Sequence, residues 1–344
     1  MLQTQKNGVK VKQLKQWTQI NMTDYKSIHG TNIETVSSDP SNPVNGQVWY
    51  NSTEQKLKGF TSNTAGSWAE GNNMGTARYR LAGAGTQTAG LGFAGYASSS
   101  SRNESEEYNG TSWAEGSNLN TARYATSGVG LQTAALCISG RPGPSPTGAQ
   151  VESYDGSSWT EIADVNTARE ALSALGLQTA ALAVGGASTP DNSVVEQWNG
   201  TSWTEVGDLN TGRHNLACAG ITTAGLAFGG SSPGASAANE SWNGSAWTEV
   251  GDFNTARYEM AGVGTATAAL AAAGHNGTAL VAIAETFNGT SWSEGADLNT
   301  ATHMCRGAGT STAAVVFGGK NPSTTANSEE FTAPVETTVT FDAS

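Results

Sequence analysis

The chain has no lysine between Lys58 and Lys320, only three cysteines in 344 residues, and no apolar run long enough to span a bilayer. Its longest apolar stretch, around Ala268 to Ala273, is far short of the roughly 20 residues a membrane helix needs, so no membrane is expected as a partner. Cys137, Cys218 and Cys305 fall 14, 5 and 3 residues past the same marker position. An odd number without common phase excludes a disulfide framework and argues against a metal site, so they read as small core residues. Charge is also scarce, at 13% of residues, and it is uneven. Residues 1–60 carry seven lysines and no arginine against Asp24, Glu34, Asp39 and Glu54, while the remainder has ten basic and 25 acidic residues. A region this acidic repels phosphate backbones, which excludes nucleic acid as a partner. The basic first segment reads either as a dock for an acidic protein surface or as an ordinary solvated face. The first 20 residues lack the apolar core of a signal peptide, so synthesis without an export signal is the expectation.

What the chain has is repetition. Six copies of a unit of about 45 residues are marked by turns of the form NGTSW, whose tryptophans are Trp68, Trp113, Trp159, Trp203, Trp247 and Trp292. Spacings of 45, 46, 44, 44 and 45 mean stacked supersecondary units, as in propellers and solenoids. A second marker of NTAR type follows ten residues behind each tryptophan and sets Arg78, Arg123, Arg169, Arg213 and Arg257 in register, with Thr302 replacing the sixth arginine. Forty-three glycines punctuate the apolar segments, and Ser, Thr and Asn are plentiful, which suits an all-β fold of short hairpins. In the third copy, strands are predicted at 171–175, 180–184, 194–198 and 202–206, with Asn199-Gly200 forming a two-residue hairpin turn that needs positive φ at both positions. Four strands per copy is the blade of a β-propeller.

Glycine doublets end the second strand at Gly185-Gly186, Gly229-Gly230 and Gly318-Gly319, thinned to Ala94-Gly95, Ser139-Gly140 and Ala273-Gly274 elsewhere. An acidic-x-aromatic step recurs, as in Glu152-Ser153-Tyr154 and Glu240-Ser241-Trp242. This ordered set of arginine, double glycine, aromatic and tryptophan resembles the Kelch repeat over about residues 56–331, which implies a Kelch-like β-propeller. The sixth copy lacks an NGTSW strand, whereas the chain begins its repeats with an orphan strand of that type around Trp68. Pairing the two closes six blades, the preferred count. The competing arrangement takes GQVWYNSTEQKLKGF and the tail ETTVTF as a seventh. The expected organisation is therefore an attachment segment at 1–45, a propeller at 46–335 and a tail or closing strand at 336–344.

Each marker tryptophan is expected to bury its ring between adjacent blades. The arginines either bond neighbouring carbonyls and the repeat's own acidic residue or form an axial ring for an anion. His29, His214, His275 and His303 share no spacing suited to a metal pair or to a base beside a nucleophile, so neither a metal, a cofactor nor catalysis is expected. Asn-Gly turns followed by Thr generate the sequons at Asn109, Asn199 and Asn288 without implying glycosylation.

Residues 40–60 resemble a hairpin of bacteriophage tail-fibre and other virion structural proteins, in which a Trp/Tyr-Tyr-Asn strand turns into a Lys-Leu-Lys strand. That resemblance implies a virion protein assembled in the host cytoplasm. Residues 1–45 would hold other virion proteins in many copies per particle, and the propeller would face a host glycan or protein. The loops after the glycine doublets vary most between copies, and variable loops on a rigid scaffold carry recognition. They nominate Tyr96, Arg102, Arg141, His275 and Lys320 as contact residues. The alternatives are a bacterial Kelch-type platform for intracellular protein interactions and, third, a carbohydrate-active enzyme.

Overall fold

The computed structural model describes residues 33–41, 43, 46–62, 66–143, 146–187, 192–334 and 336–341. Residues 1–32 of the expected attachment segment, and parts of the loops at 141–149 and 187–193, lie outside them. Among the described residues there is no helix, and the strands form seven four-stranded sheets and two short ribbons.

The chain divides into two compact units, Ala65–Ala333 and Met1–Thr64 with Pro334–Ser344. The hairpin at Val48–Asn51 and Lys56–Ser62, expected within the propeller at 46–335, falls in the second of these. Its partner explains why. Lys56–Ser62 pairs antiparallel with Glu336–Phe341, and Val48–Asn51 pairs parallel with Glu34–Val36, which makes a separate four-stranded sheet. Trp49 is fully buried there and donates its indole N–H to Asp39 at 3.0 Å. Lys58 reaches Asp39 at 2.7 Å and Glu54 at 2.8 Å. Hydrogen bonds from Lys58, then Asn51 and Trp49, hold the Asp39 carboxyl down at about 2.

Ala65–Ala333 contains six sheets of one design, an arrangement compatible with a β-propeller. In the third copy the antiparallel strands are Ser173–Leu177, Ala180–Val184, Val195–Trp198 and Trp203–Glu205. The second strand is buried on both faces, whereas the fourth exposes everything after its tryptophan. In the last sheet the fourth strand comes from the start of the unit: Ser67–Glu70 pairs with Ser328–Thr332, setting Trp68 opposite Phe331. Cores lie between neighbouring sheets. One joins Leu136, Ile138 and Val151 to Ala181, Ala183 and Trp203, and another joins Val315 and Phe317 of the sixth sheet to Leu81 and Tyr108 of the first.

The first strand of the third copy begins two residues later than predicted, because Ala171 is used elsewhere. Arg80, Ala125, Ala171, Asn215, Glu259 and Met304 all have φ between 52° and 57°. Their backbones bond in a closed ring: Arg80 N–H to Met304, Met304 to Glu259, Glu259 to Asn215, Asn215 to Ala171, Ala171 to Ala125 and Ala125 back to Arg80, each at 2.7–2.9 Å. The left-handed conformation turns each N–H and carbonyl away from its own sheet and toward the two neighbours.

Two other local expectations change. Asn-Gly is not a two-residue turn, since Trp198 faces Trp203 across a four-residue loop. Only Gly200 has positive φ, at 95°, while the Asn199 side-chain oxygen accepts the N–H of Thr201 at 2.9 Å and of Ser202 at 3.0 Å. An Asx turn supplies the geometry that a second left-handed residue would have given. In the glycine doublets the first position tolerates a side chain, with Ala94, Ser139 and Ala273 at φ 57–65°. The second remains glycine in every copy, because a Cβ on Gly186 would lie 3.0 Å from the Glu170 carbonyl.

Candidate functional site

The marker arginines are built into the sheets. Arg78, Arg123, Arg169, Arg213 and Arg257 are at most 1% exposed, and each pairs with the glutamate of its own repeat: Glu106, Glu152, Glu196, Glu240 and Glu285. The same carboxylates accept backbone N–H groups from the marker loop, as Glu196 does from Asn166 at 2.6 Å and Thr167 at 3.2 Å. Burial lowers the pKa of Arg78, Arg169, Arg213 and Arg257, the last to about 10, which leaves Arg257 cationic at neutral pH. Their burial and pairing leave no axial ring of arginines for an anion.

With the arginine pointing inward, the residue after it turns toward the surface. There it makes an antiparallel bridge with the residue after the glycine doublet: Tyr79 with Tyr96, Tyr124 with Arg141, Glu170 with Ala187, His214 with Ser231, Tyr258 with His275, and His303 with Lys320. Four of the five nominated residues, Tyr96, Arg141, His275 and Lys320, thus occupy one register position in four sheets. Arg102 differs, bridging Arg123 by its backbone and pairing its side chain with Glu104 at 2.7 Å.

The bridge residues touch across sheets. Lys320 Nζ lies 4.8 Å from the centre of the Tyr79 ring, Tyr79 is 5.6 Å from Tyr96, and Tyr96 is 4.8 Å from Tyr124 in an edge contact. On the other side of Lys320, His275 is 5.2 Å from Tyr258 and 5.8 Å from His303. The result is a half-buried arc of aromatic and basic side chains over four sheets, from which Arg141 reaches Glu170 of a fifth in a looser pair at 3.7 Å. Burial raises the Tyr79 and Tyr258 phenols, which therefore stay neutral and can both donate and accept hydrogen bonds. Beneath the arc, Glu259 receives His303 at 2.9 Å and Arg80 at 3.3 Å. Burial pushes its carboxyl up, but those two partners outweigh it and the net shift is downward.

Tyr79, Tyr124, Tyr258 and His303 were missed by reading loops alone. A signal was available, since the position after the marker arginine is tyrosine or histidine in five of the six copies. A cavity of about 150 Å³ is lined mainly by glycine and small apolar residues of the six first strands, with Arg306 its one charged lining residue. Arg306 stands where the other copies have Ala82, Ser127, Ser173, Ala217 and Ala261. Among the described residues no group of three His, Cys, Asp or Glu is placed to hold a metal, and no helix is long and apolar enough to cross a membrane. No protein-family model matches the chain, and no curated protein matches it.

Proposed function

We propose that the repeat unit is a closed six-bladed propeller of Kelch type, and that the chain is a non-enzymatic virion structural protein. It would be anchored through residues 1–45 and use the aromatic arc to adhere to a host surface glycan or protein. The reading rests above all on the arc from Tyr258 through Lys320 to Tyr124, a broad one-sided surface carried on a rigid scaffold. Rings fixed by packing offer flat apolar faces at little entropic cost, and phenol, imidazole and ammonium groups at their edges supply hydrogen bonds suited to a sugar. The cyclic backbone bonding and the pairing of Ser67–Glu70 with Ser328–Thr332 favour closure at six. The Lys-Leu-Lys hairpin resemblance favours the virion setting. Immunogold electron microscopy of phage particles that encode the protein, using antibody to the repeat unit, tests it. Label at discrete tail or capsid positions supports a virion component, and absence of label from intact particles overturns it in favour of a cellular interaction platform.

A further inference from the structure

The sixth sheet keeps the cradle that the other sheets use for arginine but not the arginine. In the first sheet Arg78 donates to Glu106 at 3.0 Å, to the Gly92 carbonyl at 3.2 Å and to the Glu104 carbonyl at 3.0 Å. Arg257 repeats the pattern on Glu285, Ala271 and Ile283. The corresponding acceptors of the sixth sheet are Glu329, Val316 and Asn327, with Val316 facing Glu329 in the register in which Gly92 faces Glu106. The residue that should supply the guanidinium is Thr302, whose hydroxyl turns instead to the Lys320 carbonyl at 3.2 Å.

The shortened side chain leaves a shallow cavity lined by Leu298, Thr302, Val316, Thr325, Asn327 and Glu329 among others, of about 10 Å³ and open to solvent on one side. Glu329 is 6% exposed. It accepts the Asn299 N–H at 2.7 Å, the Asn299 side-chain amide at 3.0 Å and the Thr300 N–H at 3.0 Å, and among the described residues it has no cationic partner. Burial raises its carboxyl, and Glu70 across the strand pair adds to that. A buried carboxylate without a counter-charge, beside two carbonyls oriented for a planar donor, is an acceptor set with a strong preference for a guanidinium fork over a spherical ion.

We propose that this cavity is a binding site for a guanidinium group supplied from outside the chain. The planar head seats on Glu329 with the Val316 and Asn327 carbonyls beside it, and its substituent leaves through the mouth at Thr325 and Asn327. The ligand class is a monovalent guanidino compound, either a free small molecule or an arginine side chain of a polypeptide.

Calorimetric titration and thermal unfolding of the full chain with guanidinium and methylguanidinium chloride, at millimolar concentration, test this. Sodium chloride at equal ionic strength and urea serve as the charge and shape controls. The expected result is saturable binding by both guanidinium salts and a melting temperature raised roughly 2–4 °C at ten times the dissociation constant. Neither control should reproduce it. Thr302→Arg fills the cradle from within, so it should melt higher than the parent chain and lose the response, and Glu329→Gln should lose the binding as well. N-acetylarginine methylamide separates the sources: tighter binding than methylguanidinium indicates an arginine of a polypeptide, and weaker binding a free small cation. A response equal to that of sodium chloride, or an unchanged response in Thr302→Arg, overturns the proposal.

Discussion

Arg169 Nη1 lies 2.6 Å from Glu196 Oε1, with both side chains wholly removed from solvent. Four more such pairs recur in this one chain, and the sixth position keeps only the carboxylate. The chain thereby carries its own comparison for the energetics of a buried ion pair. Glu196→Gln strands a buried guanidinium and should destabilise by about 3–5 kcal/mol. Glu329→Gln strands no cation and should cost less than about 1.5 kcal/mol, because only one of its accepting oxygens becomes a donor. Urea midpoints of the two variants check this, and equal losses would mean that the backbone N–H bonds to the carboxylate, not the ion pair, dominate.

The marker tryptophans are not equivalent. Trp247 is 6% exposed, packs against Trp242 in a tilted contact at 5.3 Å and donates to the Gly207 carbonyl of the preceding sheet at 3.1 Å. Trp113 is half-buried and donates to the Ser328 hydroxyl at 3.0 Å. Trp247→Ala should therefore cost about 3–5 kcal/mol. Trp113→Ala should cost roughly half that, in proportion to the smaller area withdrawn from water. Chemical unfolding followed by tryptophan fluorescence measures both.

The repeat period, the strand count per copy and the burial of Trp247 were legible because each is a pattern of hydrophobic spacing and turn residues, which local chemistry imposes. The backbone ring was not. Arg80, Ala125, Ala171, Asn215, Glu259 and Met304 share no side-chain chemistry, since what the ring needs from them is a backbone conformation. The candidate site was half legible for a related reason. Tyr96, Arg141, His275 and Lys320 lie in visibly variable loops, whereas Tyr79, Tyr124, Tyr258 and His303 adjoin the marker position and are brought beside them only by a bridge within each copy, from the start of its first strand to the end of its second.

Ala171 tests the ring directly. Its φ of 54° costs an L-residue about 1–2 kcal/mol, and its N–H bonds Ala125 at 2.8 Å. Ala171→Gly removes that strain but gains freedom in the unfolded chain, so the two offset and stability should change by less than about 1 kcal/mol. Ala171→Pro fixes φ near −65° and removes the donor, and should cost about 3 kcal/mol or more. A thermal melt of each variant decides, and a proline variant as stable as the parent would show that the ring bonds contribute nothing.

Glu259 and Glu329 should respond to pH with opposite sign. Glu259 is held below the usual glutamate value of 4.5 by His303 and Arg80 despite its burial, so the folded chain binds its proton more weakly than the unfolded chain. Its contribution to stability is then fully present above the unfolded value and is lost as pH falls through the lowered folded value. Glu329 has the reverse shift: burial raises its carboxyl above 4.5, the folded chain holds the proton more tightly, and stability declines as pH rises from the unfolded value through the raised folded one. Unfolding midpoints taken from about pH 3 to 7 should show the acid-side loss diminished in Glu259→Gln. In Thr302→Arg, a guanidinium beside Glu329 should abolish the decline above the usual glutamate range and reverse the sign of that residue's contribution. A Glu259→Gln profile parallel to that of the parent would mean that His303 and Arg80 bind the neutral amide as well as the carboxylate, and that their contacts orient the aromatic arc without supplying charge stabilisation.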